Sequence, residues 1–109
     1  MALTHSAPGE LIDVFGSGPM APERSQTLVR TDHLQVFRYA LPAGKIVDTH
    51  SAAGLTVVQC LEGSVDFEAR GEVRRLTPGT MLYLPNRDPH ALTAVTDALL
   101  LITIVLDRV

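Results

Sequence analysis

From residue 26 onward the chain is cut by turn signals about every 8–12 residues and shows no helical period. The punctuation runs through Asp32-His33, Pro42-Ala43-Gly44, Glu62-Gly63-Ser64, Gly71, Pro78-Gly79, Pro85 to Pro89, and Thr96-Asp97. Between these points lie short β-prone runs at residues 27–30, 34–41, 55–61, 65–70, 73–76, 81–84, 90–95 and 99–106. Stretches of that length suit strands and are too short for stable helices. The cleanest is 65–70, where Val65, Phe67 and Ala69 alternate with Asp66, Glu68 and Arg70, the period of a half-buried strand. Many short strands at even spacing predict an all-β sandwich or barrel. Open sheet edges invite pairing with other chains, so barrel closure or dimerisation is expected to protect them.

Residues 1–25 read differently. Pro8, Gly9, Gly16, Gly18, Pro19 and Pro22 forbid long regular structure there. An irregular N-terminal extension is expected before a barrel spanning 26–109. Its apolar patch, Leu11, Ile12, Val14 and Phe15, has no obvious place in a minimal barrel. It is expected to form a short turn or strand packed on another element or on a partner subunit, and a homodimer follows as the expected assembly.

Composition narrows the function classes. With 46% hydrophobic and 19% charged residues, the 109 residues make one globular domain. Two tyrosines, three phenylalanines and no tryptophan leave the core to Leu, Val, Ile and Ala. A net charge of −3 gives no footprint for nucleic acid, and the basic cluster from Arg70 to Arg75, broken by Glu72, reads as an exposed hairpin. Cys60 is the single cysteine, which excludes an internal disulfide and a Cys-rich zinc site. Set among Val57, Val58 and Leu61, it reads as a small buried hydrophobe. The apolar run at 98–106 is far short of the roughly 20 residues a membrane helix needs. No basic segment followed by an apolar stretch opens the chain, so the expected location is cytoplasmic.

Two spaced motifs now become visible. Gly44 is followed after five residues by His50, and Gly63 closes the stretch; Gly79 leads after five residues to Pro85, and His90 follows after four more. In this the chain resembles the cupins, whose motifs read G-x5-H-x-H-x3–4-E-x6-G and G-x5-P-x-G-x2-H-x3-N. The resemblance covers residues 26–106 and implies a double-stranded β-helix, or jelly-roll barrel, with His50 and His90 facing inward on adjacent strands. The departures are as informative. The second motif histidine is Ala52, the glutamate is Thr56, the motif-two glycine is Arg87 and the asparagine is Ala94. Two of the four usual metal ligands are therefore absent, as in a subgroup of short cupins that keeps only the first and last histidines.

Imidazole is the commonest neutral metal ligand, but a stable transition-metal site normally wants three protein donors. Thr56, Gln59, His5 and His33 are the candidates for a third; Thr56 ionises poorly, and alternation from Thr56 turns Gln59 away from the cavity. Three readings of His50 and His90 stay open: a hydrogen-bonded pair lining a pocket, a weak site for a divalent Zn, Ni, Fe or Mn ion, or a tight redox site. Tyr83 could point a phenol into the cavity or sit at the rim. Arg38 could anchor a carboxylate or bridge a dimer interface, and Asp48 could orient His50. The function expected is binding of a small apolar or weakly acidic molecule in a pocket lined by Val, Leu, Met and the two histidines. A metal-dependent isomerase or dioxygenase-like enzyme and a structural or regulatory dimer with a vestigial pocket are the alternatives.

Overall fold

The computed structural model describes residues 6–16 and 24–106. Nine strands form: β1 (Gln26–Arg30), β2 (Leu34–Leu41), β3 (Ile46–His50), β4 (Gly54–Glu62), β5 (Val65–Ala69), β6 (Glu72–Leu76), β7 (Met81–Leu84), β8 (His90–Ala94) and β9 (Ala98–Leu106). All pairings are antiparallel, in a five-stranded sheet ordered β1-β2-β9-β4-β7 and a four-stranded sheet ordered β3-β8-β5-β6. The sheets enclose one apolar core, which is the sandwich or barrel expected from the turn spacing and the jelly roll implied by the resemblance. No helix among the described residues is long and apolar enough to cross a membrane.

Alternation decides which side chains fill the space between the sheets. On β4, Thr56, Val58 and Cys60 are buried, while Leu55, Val57 and Gln59 lie on the other face. On β9, Leu100 opposes Cys60, and Ile102 opposes Val58. Phe67, Leu41, Leu100, Val58 and Val65 are almost wholly buried, so the middle of the barrel is a packed core. Cys60 is buried there with its Sγ 3.4 Å from the carbonyl oxygens of Glu62 and Gly63. Burial pushes its thiol pKa up, which keeps it protonated and unreactive.

Main-chain groups of the N-terminal segment are bonded within the chain. Arg38, buried on the outer face of the large sheet, donates from Nε to the Arg24 carbonyl (2.7 Å) and from Nη1 to the Asp13 carbonyl (3.0 Å). Its Nη2 donates to Gln26 Oε1 at 3.0 Å. The guanidinium thus clasps residues 13 and 24 onto β2. This replaces both roles read for Arg38 in the sequence, since its donors are taken within the chain. Ser6 N–H donates to the Leu28 carbonyl at 2.8 Å, and Arg24 donates to the Phe15 carbonyl at 3.1 Å. Leu11 is fully exposed.

Gly63 closes the β4–β5 turn with φ 77, and a Cβ there would be driven into the backbone carbonyl of Asp97. Gly44 has φ 87 but open space around it. Gly63→Ala should therefore destabilise the fold by well over about 1 kcal/mol, and Gly44→Ala by only about 1 kcal/mol, from backbone strain alone. Urea denaturation of the two variants measures the difference.

Candidate functional site at the barrel mouth

Short connections gather the relevant strand ends at one end of the barrel. β3 passes into β4 through residues 51–53, and β7 into β8 through 85–89. The Arg87 N–H donates to the Ala52 carbonyl (3.1 Å), tying these connections together. Arg87 has φ 65, a left-handed conformation costing about 1–2 kcal/mol for an L residue. It stands where the cupin pattern has glycine, so the turn is kept although the residue that eases it is not.

A bulge brings the two histidines together. Val47 pairs with Leu92 and His50 with His90, so three residues advance on β3 against two on β8. Simple alternation would put Val47 and His50 on opposite faces; the extra residue turns His50 back to the core side. The ring centroids are 4.3 Å apart, edge to face at 62°. On its other side His90 stacks on Phe67 at 5.4 Å and 13°. His50 is exposed, whereas His90 is only 7% exposed.

Backbone carbonyls two residues upstream orient both rings. His50 Nδ1 lies 2.9 Å from the Asp48 carbonyl and His90 Nδ1 lies 3.1 Å from the Asp88 carbonyl. A carbonyl oxygen only accepts, so each Nδ1 carries the proton and each Nε2 presents a lone pair. Asp48 therefore orients His50 through its main chain. The Asp88 carboxylate is taken by Arg70 at 2.7 Å. No buried side-chain nitrogen or oxygen among the described residues lacks a partner; His90 Nε2, which has none among those residues, must reach the solvent. Burial holds the His90 pKa below its ordinary 6.5; the Asp88 carbonyl opposes this, and charge on His50 reinforces it.

The other candidates are placed less centrally. Thr56 is buried on the inner face at the same end of the barrel, but its hydroxyl donates to the Gly54 carbonyl at 3.3 Å. Gln59 faces outward, as alternation predicts, and is not brought to the histidines. Tyr83 and Met81 are 66% and 58% exposed: Leu82 and Leu84 take the inner positions of β7, which leaves Tyr83 and Met81 on the outer face. Tyr83 therefore does not line the space at His50, and the methionine expected in a pocket wall is outside it. His33 lies exposed in the β1–β2 turn, and His5 lies outside the described residues. Sequence reading missed the stack of Phe67 on His90; the regular alternation of β5 was its available signal.

These residues do not fit a tightly held metal. Among the described residues no three His, Cys, Asp or Glu side chains are placed to hold an ion. Ala52 offers no donor, and Thr56 has turned its hydroxyl to the backbone. Two imidazoles fall short of the three protein donors of a stable transition-metal site.

The depressed His90 pKa has a consequence for stability. In the unfolded chain this histidine titrates near its ordinary value, so folding favours its neutral form. Its contribution is complete above about pH 6.5 and declines as pH falls from there through the lower folded value. Denaturant unfolding between about pH 8 and pH 5 should show this decline, and His90→Gln should flatten it.

Comparison with known proteins places this geometry in a family. A conserved protein of unknown function from Streptococcus pyogenes superposes with a TM-score of 0.75 at 23% identity, covering 95% of this chain and 93% of that one. An RmlC-like cupin from Desulfovibrio desulfuricans gives 0.75 at 24% identity, covering 88% and 95%. Salicylate 1,2-dioxygenase from Pseudaminobacter salicylatoxidans gives 0.64 at 30% identity, over 67% of this chain but only 21% of that one. No curated protein matches the sequence significantly. The AraC-like ligand-binding domain matches over residues 36–105, and on that match, with its jelly-roll fold, the chain belongs to the cupin-like AraC ligand-binding domain family.

Proposed function

We propose that this chain is a small-molecule-binding cupin domain whose ligand is held at the barrel mouth by His50 and His90. The carrying observation is the pair of Nε2 lone pairs, each left available because a backbone carbonyl takes the opposite ring nitrogen. Partial desolvation favours the neutral form of His90, so its Nε2 offers an acceptor to a ligand hydroxyl or N–H. The family match to a ligand-binding domain supports the same reading. The donor set argues against a metal-dependent isomerase or dioxygenase.

The test is a ligand screen read on the imidazole signals by NMR. Ligands of this site should shift both rings, and the His50→Ala, His90→Ala double variant should bind them at least about tenfold more weakly. Equal binding by the double variant would remove the histidines from the site. Because His50 is exposed, His50→Ala alone should change stability by no more than about 0.5 kcal/mol.

The expected homodimer is assigned to the outer face of the large sheet. Leu55, Met81, Tyr83 and Val105 are exposed there on the adjacent strands β7, β4 and β9, with Leu55 opposite Val105 and Val57 opposite Tyr83. Apolar side chains grouped in this way on a sheet face mark an interaction surface. Sedimentation at micromolar concentration should give a dimer for the native chain and a monomer for Tyr83→Glu. A native monomer would overturn the assignment.

A further inference from the structure

The β5–β6 hairpin carries a second set of polar groups on the face that holds the histidines. Ala69 pairs with His90 on one side and Glu72 on the other, while Phe67 pairs with Leu92 and Arg74. Partners in register share a face. His50, His90, Ala69 and Glu72 therefore form one row across the inner side of the small sheet, and Arg74 sits one row deeper, beside Phe67. Arg75 and Val73 belong to the outer side, where Arg75 is bound by Asp66 through Nε (2.9 Å) and Nη2 (3.2 Å). Two neighbouring arginines that look equivalent in sequence thus face opposite ways.

Arg74 is incompletely used. Its Nη2 donates to both oxygens of Glu72, at 2.8 and 3.3 Å, while its Nε and Nη1 donate to nothing among the described residues. The pair is open, with side chains 66% and 54% exposed, and an exposed ion pair of this kind is weak. A ligand carboxylate could take the unused guanidinium edge, or displace Glu72, at little cost. Between this cation and His90 stand the methyl of Ala69 and the ring of Phe67, which stacks on His90. Two interstrand spacings separate β8 from β6, so the backbone positions lie about 10–12 Å apart.

We propose that Arg74 is the carboxylate anchor of this site, and that its ligands are hydroxylated organic acids. The ligand hydroxyl donates to the Nε2 lone pairs of His50 and His90, and the carboxylate at its far end accepts from Arg74. This rests on the mouth of the barrel being the ligand site. Arg70, in the β5–β6 turn, donates only through Nη1 to Asp88, and an acid preference lost in Arg70→Gln but kept in Arg74→Gln would move the anchor there.

The test uses 4-hydroxybenzoate and its neutral counterpart 4-hydroxybenzamide as probes of the full-length protein, titrated while the imidazole signals are followed by NMR. The acid should bind at least about tenfold more tightly than the amide. Arg74→Gln should abolish that preference while leaving the amide unchanged, and Arg75→Gln, on the opposite face, should leave both unchanged. Equal affinity for acid and amide, or an acid preference that survives Arg74→Gln, would overturn the anchor while leaving the histidine site standing. So would a loss seen in Arg87→Gln instead, which would move the cation to the β7–β8 loop. If neither probe moves the histidine signals, the ligand site and the anchor fall together.

Discussion

The pairing of β3 with β8 slips by one residue between Val47 and His50, and the character of the barrel mouth depends on that slip. Without the extra residue, the side of β3 that buries Val47 would present Thr49 at the mouth, and His50 would face solvent across from nothing. With it, two imidazoles meet 4.3 Å apart, one against the Phe67 ring and one open to water. The bulge is held from outside the strand as well. The tie from Arg87 to Ala52 fixes the loop leading into β8 against the loop leaving β3, so the two histidines are positioned from both ends.

Orientation by main-chain carbonyls also sets the chemistry. Had carboxylates oriented the rings, each would have drawn its histidine toward the charged form. A carbonyl fixes the tautomer with a weaker pull, and burial then keeps His90 neutral. The Asp88 carboxylate, whose charge works against the lowering of the His90 pKa, is paired with Arg70, and Glu72 is paired with Arg74. The proposed site therefore sets a neutral His90 beside His50, with Arg74 at its edge. That combination suits recognition of a polar organic molecule and lacks the negative charge that would balance a bound divalent ion.

Much of this was legible in the sequence. The strand at 34–41 and the strand at 81–84 fall where turn residues and alternation place them, and the glycine-to-histidine spacings locate both histidines. β3 was less legible, because Asp48, Thr49 and His50 carry little strand signal and are held by pairing with β8. Tyr83 shows the opposite difficulty. One residue of phase separates a pocket wall from an outer face, and only Leu82 and Leu84, packed inside, decide it. The cluster from Arg70 to Arg75 is the sharpest case: it is an exposed hairpin, as its composition suggested, yet pairing sorts it into Arg74 on the histidine side and Arg75 on the other. A charge run read as a whole hides that division.

The departures from the cupin pattern fall into two physical kinds. Arg87 keeps the left-handed backbone of the glycine it replaces, so geometry survives a change of residue. Thr56 and Ala94, 3% and 1% exposed, show the reverse: the backbone remains while the donor is gone and its space is closed by packing. Restoring a carboxylate at Thr56 would force a longer, charged group into a filled, desolvated position, where an unpaired ion is costly. The missing glutamate position is thus absorbed into the core, and the polar chemistry left to this barrel lies at its rim, where His50 is open and the β6 edge is unpaired.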